Sequence, residues 1–292
     1  MNWWSGKLVL ITGARGFIGS KLKSILESLE CVVLTKDRDT FRAHIPDNLD
    51  VIFHLAADTV VSEEKSTEMI TNNFLSTSNI LEFGKINKSK AIIIVSSDRV
   101  YGDEQNVRNP YREDDPLLAR DTYGTSKVLC DILAQSYIKK RIPVGIARCS
   151  NVYGPGDRHM NRIIPSIVNS LTINEPPVLN TRSPSRDYIY IDDAVNALML
   201  IAQYIYSGNR EHSIFNFSSG LAIRNDDLLG KIIDIWGEKV RATIVQKDNE
   251  KFSYQCSNAS RAVNILGWEQ QFNLYSGLQK TVQWWREQNV RN

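Results

Sequence analysis

This 292-residue chain has few residues that could hold a metal or a disulfide. Its four cysteines stand at 31, 130, 149 and 256, none spaced as Cys-x-x-Cys and none beside a histidine at ligand spacing. The four histidines are scattered as well, so no zinc site is expected. Such thiols read as reduced core residues of a cytoplasmic protein. Excess charge is also missing. The 35 Lys+Arg and 33 Asp+Glu leave a net +2, too weak a field to draw in nucleic acid. No apolar run approaches the roughly 18 residues that a membrane span needs. The opening MNWWSGKLVLITG has no basic segment ahead of a long apolar one, so no signal peptide is read there. Internal repeats and low-complexity tracts are absent too.

What the chain does have is a regular alternation. KLVLITG (7–13), CVVLT (31–35), DVIFHLA (50–56), AIIIVSS (91–97) and PVGIARC (143–149) read as strands, with helical patterns between them. Continuous Val/Ile/Leu strands separated by helices predict a parallel sheet covered on both faces, a doubly wound α/β fold. After Asn151 the rhythm changes. Residues 153–186 are rich in Pro, Asn and Ser, then come an apolar helix (191–205), a short strand (213–217), a capped helix (225–236) and a C-terminal helical stretch. The expected division is a dinucleotide-type domain over 1–155, rejoined by 186–217. A smaller interleaved lobe is made of 156–185 and 218–292.

TGARGFIG (12–19) follows the first strand and opens the first helix. Gly13, Gly16 and Gly19 allow a tight turn and a close approach of backbone N–H groups to a pyrophosphate, at a helix end that favours negative charge. With a legible strand before and helix after, this predicts dinucleotide binding. Asp37, near the end of the second strand, is placed to hold adenosine ribose hydroxyls, which suits NAD. Lys36 and Arg38 bracket it and Arg15 sits in the glycine loop. Three cations near one ribose suit a 2′-phosphate, so NADP(H) is favoured over NAD(H).

Tyr123 and Lys127 form YGTSK, on one face of a helix about one turn apart. An ammonium beside a phenol favours the phenolate, which makes such a pair a tuned acid/base. SSDRVYG (96–102) ends the fourth strand, and ligands of parallel sheets bind at the carboxyl ends of strands. Ser97 there can hydrogen-bond the oxygen that Tyr123 protonates.

Taken in order, the three glycines, HLAAD (54–58), SSDRVYG, YGTSK, SNVYGPGD (150–157) and RDYIYIDDAV (186–195) resemble the extended short-chain dehydrogenase/reductase family. These are the NAD(P)-dependent nucleotide-sugar epimerases, dehydratases and 4-ketoreductases, and the resemblance covers nearly the whole chain. It implies a Rossmann lobe and a smaller lobe for a nucleoside diphosphate sugar. It carries over Ser97, Tyr123 and Lys127 as catalytic residues, with Asp98 orienting substrate or relaying a proton. Gly13, Arg15, Gly16, Phe17, Ile18, Gly19, Leu55, Ala56 and Ala57 would contact the cofactor, and Lys127 would hold its nicotinamide ribose. Asn151, Arg162 and Arg186 would contact substrate. A homodimer through helices at 63–83 and 123–139 is implied as well.

The departures bear on the reaction. The 37–49 segment is short and lacks the family's usual third strand and its adenine contact. Tyr254 stands where the family often has an arginine near the nucleotide. Thymidine-type 4,6-dehydratases place Asp-Glu after the catalytic hydroxyl residue, and cytidine-type ones have a lysine in the second position. This chain has Asp98 and Arg99, and a guanidinium cannot act as a base. Arg99 either binds substrate or faces solvent. The expectation is therefore a 4-keto-6-deoxysugar reductase, with a 4-epimerase and then a cytidine-type 4,6-dehydratase as alternatives. A dinucleotide-binding scaffold without turnover is disfavoured by the intact Ser97/Tyr123/Lys127 set.

Overall fold

The computed structural model describes residues 2–36, 45–59, 66–102, 110–180, 184–245 and 253–289. Strand and helix alternate through the first half as β1 (Leu8–Thr12), α1 (Phe17–Ser28), β2 (Val32–Lys36), β3 (Val51–His54), α2 (Ser66–Ile86), β4 (Ala91–Ser97), α3 (Thr122–Lys139) and β5 (Val144–Cys149). A 3₁₀ turn, Asp98–Tyr101, leaves β4 without a break. The second half holds β6 (Asn151–Tyr153), α4 (Ile163–Thr172), β7 (Val178–Leu179), β8 (Ser185–Tyr190), α5 (Ile191–Tyr206), β9 (Ile214–Phe217), β10 (Ala222–Arg224), α6 (Asn225–Trp236), β11 (Thr243–Ile244), β12 (Tyr254–Gln255) and α7 (Leu274–Asn289).

Six strands make one parallel sheet in the order β2-β1-β3-β4-β5-β9. Its strands alternate between two cores, as a sheet covered on both faces must. Val9, Ile11, Val51, Phe53 and Ile93 face a core shared with Leu22 of α1 and Ile201 of α5. Leu10, Ile52, Ile92 and Ile146 face one shared with Ile80 of α2 and Ala134 of α3. This is the doubly wound fold that the apolar runs predict. Among the described residues β2 is the sheet's edge, with no strand beyond it.

Of the 186–217 stretch, α5 packs on the large sheet and β9 extends it, while β8 builds a small sheet with β6, β10 and β12. The helix α4 falls inside the Pro- and Asn-rich stretch. Its Pro165 sits in the first turn, where a missing N–H costs no helical hydrogen bond. Among the described residues, no helix is long and apolar enough to cross a membrane.

One buried ion pair ties the layers together. Arg148 on β5 donates from Nε and Nη2 to the two carboxylate oxygens of Asp131 on α3, at 2.9 and 2.8 Å, and both residues are sealed from solvent. Losing one partner strands a buried charge. Arg148→Met should therefore lower stability by ~3–5 kcal/mol. Arg148→Met with Asp131→Leu should cost less than the sum of the two single changes. A urea-unfolding double-mutant cycle measures this, and strict additivity would show that the pair does not couple.

Candidate active site

The carboxyl ends of β1, β3, β4 and β5 open into one cleft of ≈ 630 Å³, a size suited to a small-molecule ligand. The glycine loop forms one end. Gly13 has φ +73°, and a Cβ there would meet Ala56 N at 2.7 Å. A Cβ on Gly19 would lie 2.1 Å from Gly13 O, so α1 can start tight against β1 only with glycine at that position. Gly16 caps α1 with no side-chain hydrogen bond, and the first turn carries no acidic residue. The opening N–H groups of α1 are thus left for a ligand, and Gly13, Gly16, Phe17, Ile18 and Gly19 line the cleft. This cradle fits a dinucleotide pyrophosphate.

Leu55 and Ala57 line the cleft after β3. Ala56 is not part of the lining, and its N–H donates to Thr12 Oγ1 at 3.4 Å. Arg15 is exposed and Lys36 closes β2, both away from the lining. Asp37 and Arg38 lie outside the described residues.

Ser97, Tyr123 and Lys127 come together on the cleft wall. Lys127 Nζ donates to Val95 O at 2.8 Å and lies 5.9 Å from the Tyr123 ring centroid. The start of α3 is fixed by its N-cap Asp121, whose Oδ1 accepts from Gly124 N at 2.9 Å. Gly124 is needed where it stands, since a Cβ there would come within 2.9 Å of Arg99 O. Asn73 of α2 donates to Ser126 Oγ at 3.0 Å, and Ser126 Oγ donates to Tyr123 O at 2.7 Å. Beneath them His54 is buried between Thr12 Oγ1 (2.7 Å) and Thr77 Oγ1 (3.2 Å). Burial, with Lys127 nearby, pushes His54 down to about 3, so it is neutral.

Ser97 Oγ accepts from Arg99 N at 3.2 Å and donates to Asp98 Oδ1 at 3.3 Å. Asp98 is 1% exposed and sits one hydroxyl behind the wall. Burial pushes its carboxyl up to about 7, and Asp187 adds to the shift. Arg99 lines the cleft but is not simply solvated, because Nη2 pairs with Asp121 Oδ2 at 2.7 Å. The other three predicted substrate residues also line it. Asn151 Nδ2 donates to Asp187 O at 2.9 Å. Arg162 pairs with Asp157 at 3.0 Å and lies 5.9 Å over the Phe17 ring. Arg186 Nη1 donates to Ser185 O and Ser253 O.

Cys149, Tyr188, His159 and Asn225 line the cleft too and were not singled out by the sequence reading. Tyr188 is the one with a signal, as it sits in the alternating RDYIYI run. The four cysteines stand unpaired. Among the described residues no three His, Cys, Asp or Glu side chains group to hold a metal ion.

The sequence pattern of the NAD dependent epimerase/dehydratase family matches residues 9–217. A dTDP-D-glucose 4,6-dehydratase of Dictyostelium discoideum is 32% identical over 272 residues, covering 78% of this chain and 62% of that protein. A CDP-glucose 4,6-dehydratase of Salmonella typhimurium is 25% identical over 333 residues, covering 97% of this chain and 91% of that one. The chain thus spans under two thirds of the first relative and nearly all of the second. The crystal structure of a dTDP-glucose 4,6-dehydratase from Bacillus anthracis, in complex with NAD, matches with a TM-score of 0.82. It is 23% identical and covers 98% of both chains, a likeness of fold.

Gly19→Val should weaken dinucleotide binding at least about tenfold, ~1.4 kcal/mol, because its side chain forces α1 off β1. Titration calorimetry with NAD and NADP measures this. Unchanged affinity in a folded variant would remove the glycine loop from the site.

Proposed function

We propose, for a chain that belongs to the NAD dependent epimerase/dehydratase family, a 4,6-dehydratase acting on a nucleoside diphosphate hexose. The single observation that carries this choice is Asp98. Its carboxyl, buried and pushed up to about 7, directly follows Ser97, which donates to it. Oxidation and reduction at carbon 4 have no need of such a group, whereas expulsion of a hydroxyl does. The two similar relatives named as 4,6-dehydratases support the same reading.

The nicotinamide dinucleotide supplies a hydride acceptor that later becomes the donor. Gly13, Gly16 and Gly19 would seat its pyrophosphate, and Lys127 its nicotinamide ribose. Tyr123 takes the proton of the carbon 4 hydroxyl while Ser97 hydrogen-bonds that oxygen. The ketone so formed acidifies the proton on carbon 5. That proton leaves to the imidazole of His159, which is exposed and lines the cleft, since Arg99 can accept none. The C5–H electron pair becomes a C5=C6 bond, the C6–O bond breaks, and the Asp98 proton, passed through Ser97 Oγ, goes to the departing oxygen, which leaves as water. Asn151, Arg162 and Arg186 would hold substrate, with arginines suited to the diphosphate.

Because the hydride returns to the same substrate, the cofactor is recycled within one turnover. This favours a retained NAD over the exchangeable NADP(H) that the cations around Asp37 suggest. Leu75, Leu129 and Ile132, exposed at 52%, 39% and 54% on α2 and α3, support a homodimer through those helices. The unpaired thiols suit a cytoplasmic setting.

A 4-keto-6-deoxysugar reductase is the second reading, and Arg99 favours it. It needs only Ser97, Tyr123 and Lys127, and no base beside Asp98. The decisive assay gives the enzyme dTDP-, CDP- and UDP-glucose in deuterated water. A dehydratase yields a product lighter by one water with solvent deuterium at carbon 5, and Asp98→Asn slows that ~10²–10⁴-fold. No product from any of the three, with NADPH consumed by a 4-ketosugar nucleotide, would establish the reductase instead.

A further inference from the structure

Behind the cleft wall two carboxyl groups are buried from water, Asp98 at 1% and Asp187 at 0% exposure. The small sheet brings them together. β12 runs beside β8 with Gln255 opposite Arg186, and Gln255 Nε2 donates to Asp98 O at 2.9 Å. The surroundings of the two groups differ sharply. Asp187 Oδ1 accepts from Ser219 N at 3.0 Å and Ser219 Oγ at 2.6 Å. Its Oδ2 accepts from Gly220 N at 3.1 Å, from Cys256 Sγ at 3.4 Å and from Ser218 Oγ. Among the described residues, Asp98 Oδ1 has only the long bond from Ser97, and Oδ2 is buried with no hydrogen-bond partner. Gln255 Oε1 is also buried without one among those residues.

A carboxylate is acceptor-only, so an orphaned buried oxygen is costly until a proton turns it into a donor. Two carboxyls in one dry pocket cannot both ionise cheaply, and the one richer in donors keeps the charge. Other groups act on Asp98 from every side. Arg99 on its own turn and Arg186 on β8 favour its charge. Tyr188 on β8, Cys149 on β5 and Cys256 just after β12 stand near it, all pushed up by burial. Burial raises Asp187 as well, and its serine, glycine and cysteine donors pull it back.

We propose that Asp98 and Asp187 carry one proton between them, and that Asp187 is a positioning residue whose charge, held by its five donors, keeps that proton on Asp98. This rests on the dehydratase reading. When the Asp98 O–H bond breaks, its proton, passed through Ser97 Oγ, forms the new O–H bond of the departing water. Asp98 is then left as a carboxylate in the field of the Asp187 charge, and their repulsion draws the next proton back.

The test follows the protonated carboxyl band by infrared spectroscopy across pH in the full-length enzyme, beside the pH profile of kcat for dehydration. Wild type should lose the band near pH 7, and activity should fall over the same range because the acid must be protonated. Asp187→Asn removes the repelling charge. Ser219→Ala strips one donor, the Ser219 hydroxyl, from Asp187 and moves the shared proton toward it. Asp187→Asn should shift the band and the alkaline limb of kcat to lower pH by about one unit, whereas Ser219→Ala should move the band midpoint to higher pH and lower the plateau of kcat, because less of the shared proton stands on Asp98. Ser219→Ala carries the test if Asp187→Asn fails to fold. A midpoint unchanged in the folded variants, or a band that persists at pH 7 in Asp98→Asn, overturns the proposal. A band that behaves as expected in an enzyme that dehydrates no nucleoside diphosphate hexose overturns the dehydratase reading and leaves the shared proton standing.

Discussion

The geometry of the cleft depends on the buried pair of Arg148 and Asp131. A buried ion pair gains little unless its remaining donors and acceptors are filled, and here they are. Asp131 Oδ2 also accepts from Ser96 Oγ at 3.0 Å. Arg148 Nη1 donates to Tyr101 Oη at 2.8 Å and Glu113 O at 2.9 Å, and Tyr101 Oη donates to Asn216 Oδ1 at 2.7 Å. One network therefore joins β4, the 3₁₀ turn, α3, β5 and β9. Tyr123, Lys127 and Asp131 are four residues apart in succession and share a face of α3. Holding Asp131 against β5 holds Lys127 on Val95 O, and with it the distance from Tyr123 to the end of β4. The catalytic spacing follows from a core contact that itself touches no ligand.

Around that anchor the site keeps its floor nearly free of charge. His54 is neutral, Cys149 is pushed up to about 12 by burial, and Asp98 is neutral up to about pH 7. Lys127 Nζ lies 5.9 Å from the Tyr123 ring centroid above that floor. Holding these groups uncharged links stability to pH in opposite senses. His54, depressed from 6.5, contributes stability that is lost as pH falls toward 3. Asp98, raised from 3.8, contributes stability that is lost as pH rises toward 7. Over the acid range the two oppose each other, so a neutral site is held without a steep dependence of the fold on pH.

The sequence was most legible where one short segment carries its own physical reason. Gly19 is forced by backbone contacts within the loop, Gly13 by its positive φ and the backbone after β3, and the Val/Ile runs of β1, β3 and β4 by burial on both faces. YGTSK needs only helical periodicity. What stayed hidden depends on partners far apart in the chain. Arg99 is unreadable without Asp121, and Asp98 without Asp187 and Gln255. The strands β6, β10 and β12 are two or three residues long, too short for any period to show, and they form only because β8 offers them edges. Helix α4 was masked by the composition around it, although its own residues, IIPSIVNSLT, are apolar at helical spacing. The cofactor choice was read from Lys36, Asp37 and Arg38, and two of those lie outside the described residues.

Arg99 shows why the position after Asp98 cannot be read from residue type alone. Its guanidinium borders the cleft, yet its Nη2 is engaged by the N-cap of α3, and its carbonyl presses on Gly124 one turn into that helix. The side chain thus ties the end of β4 to the start of the helix that carries Tyr123 and Lys127. A glutamate or lysine there could exchange a proton with substrate, whereas an arginine keeps its proton at every working pH and, on the proposed reading, stays a fixed cation beside substrate. In the proposed elimination across carbons 5 and 6, loss of the carbon 5 proton places negative charge on the carbon 4 oxygen before the C5=C6 bond is complete. A fixed cation beside that oxygen would stabilise the charge as it develops. The substitution removes a base from the site and adds an electrostatic contact. The proposed dehydration therefore needs Asp98 as its acid more than it needs a matching base at residue 99.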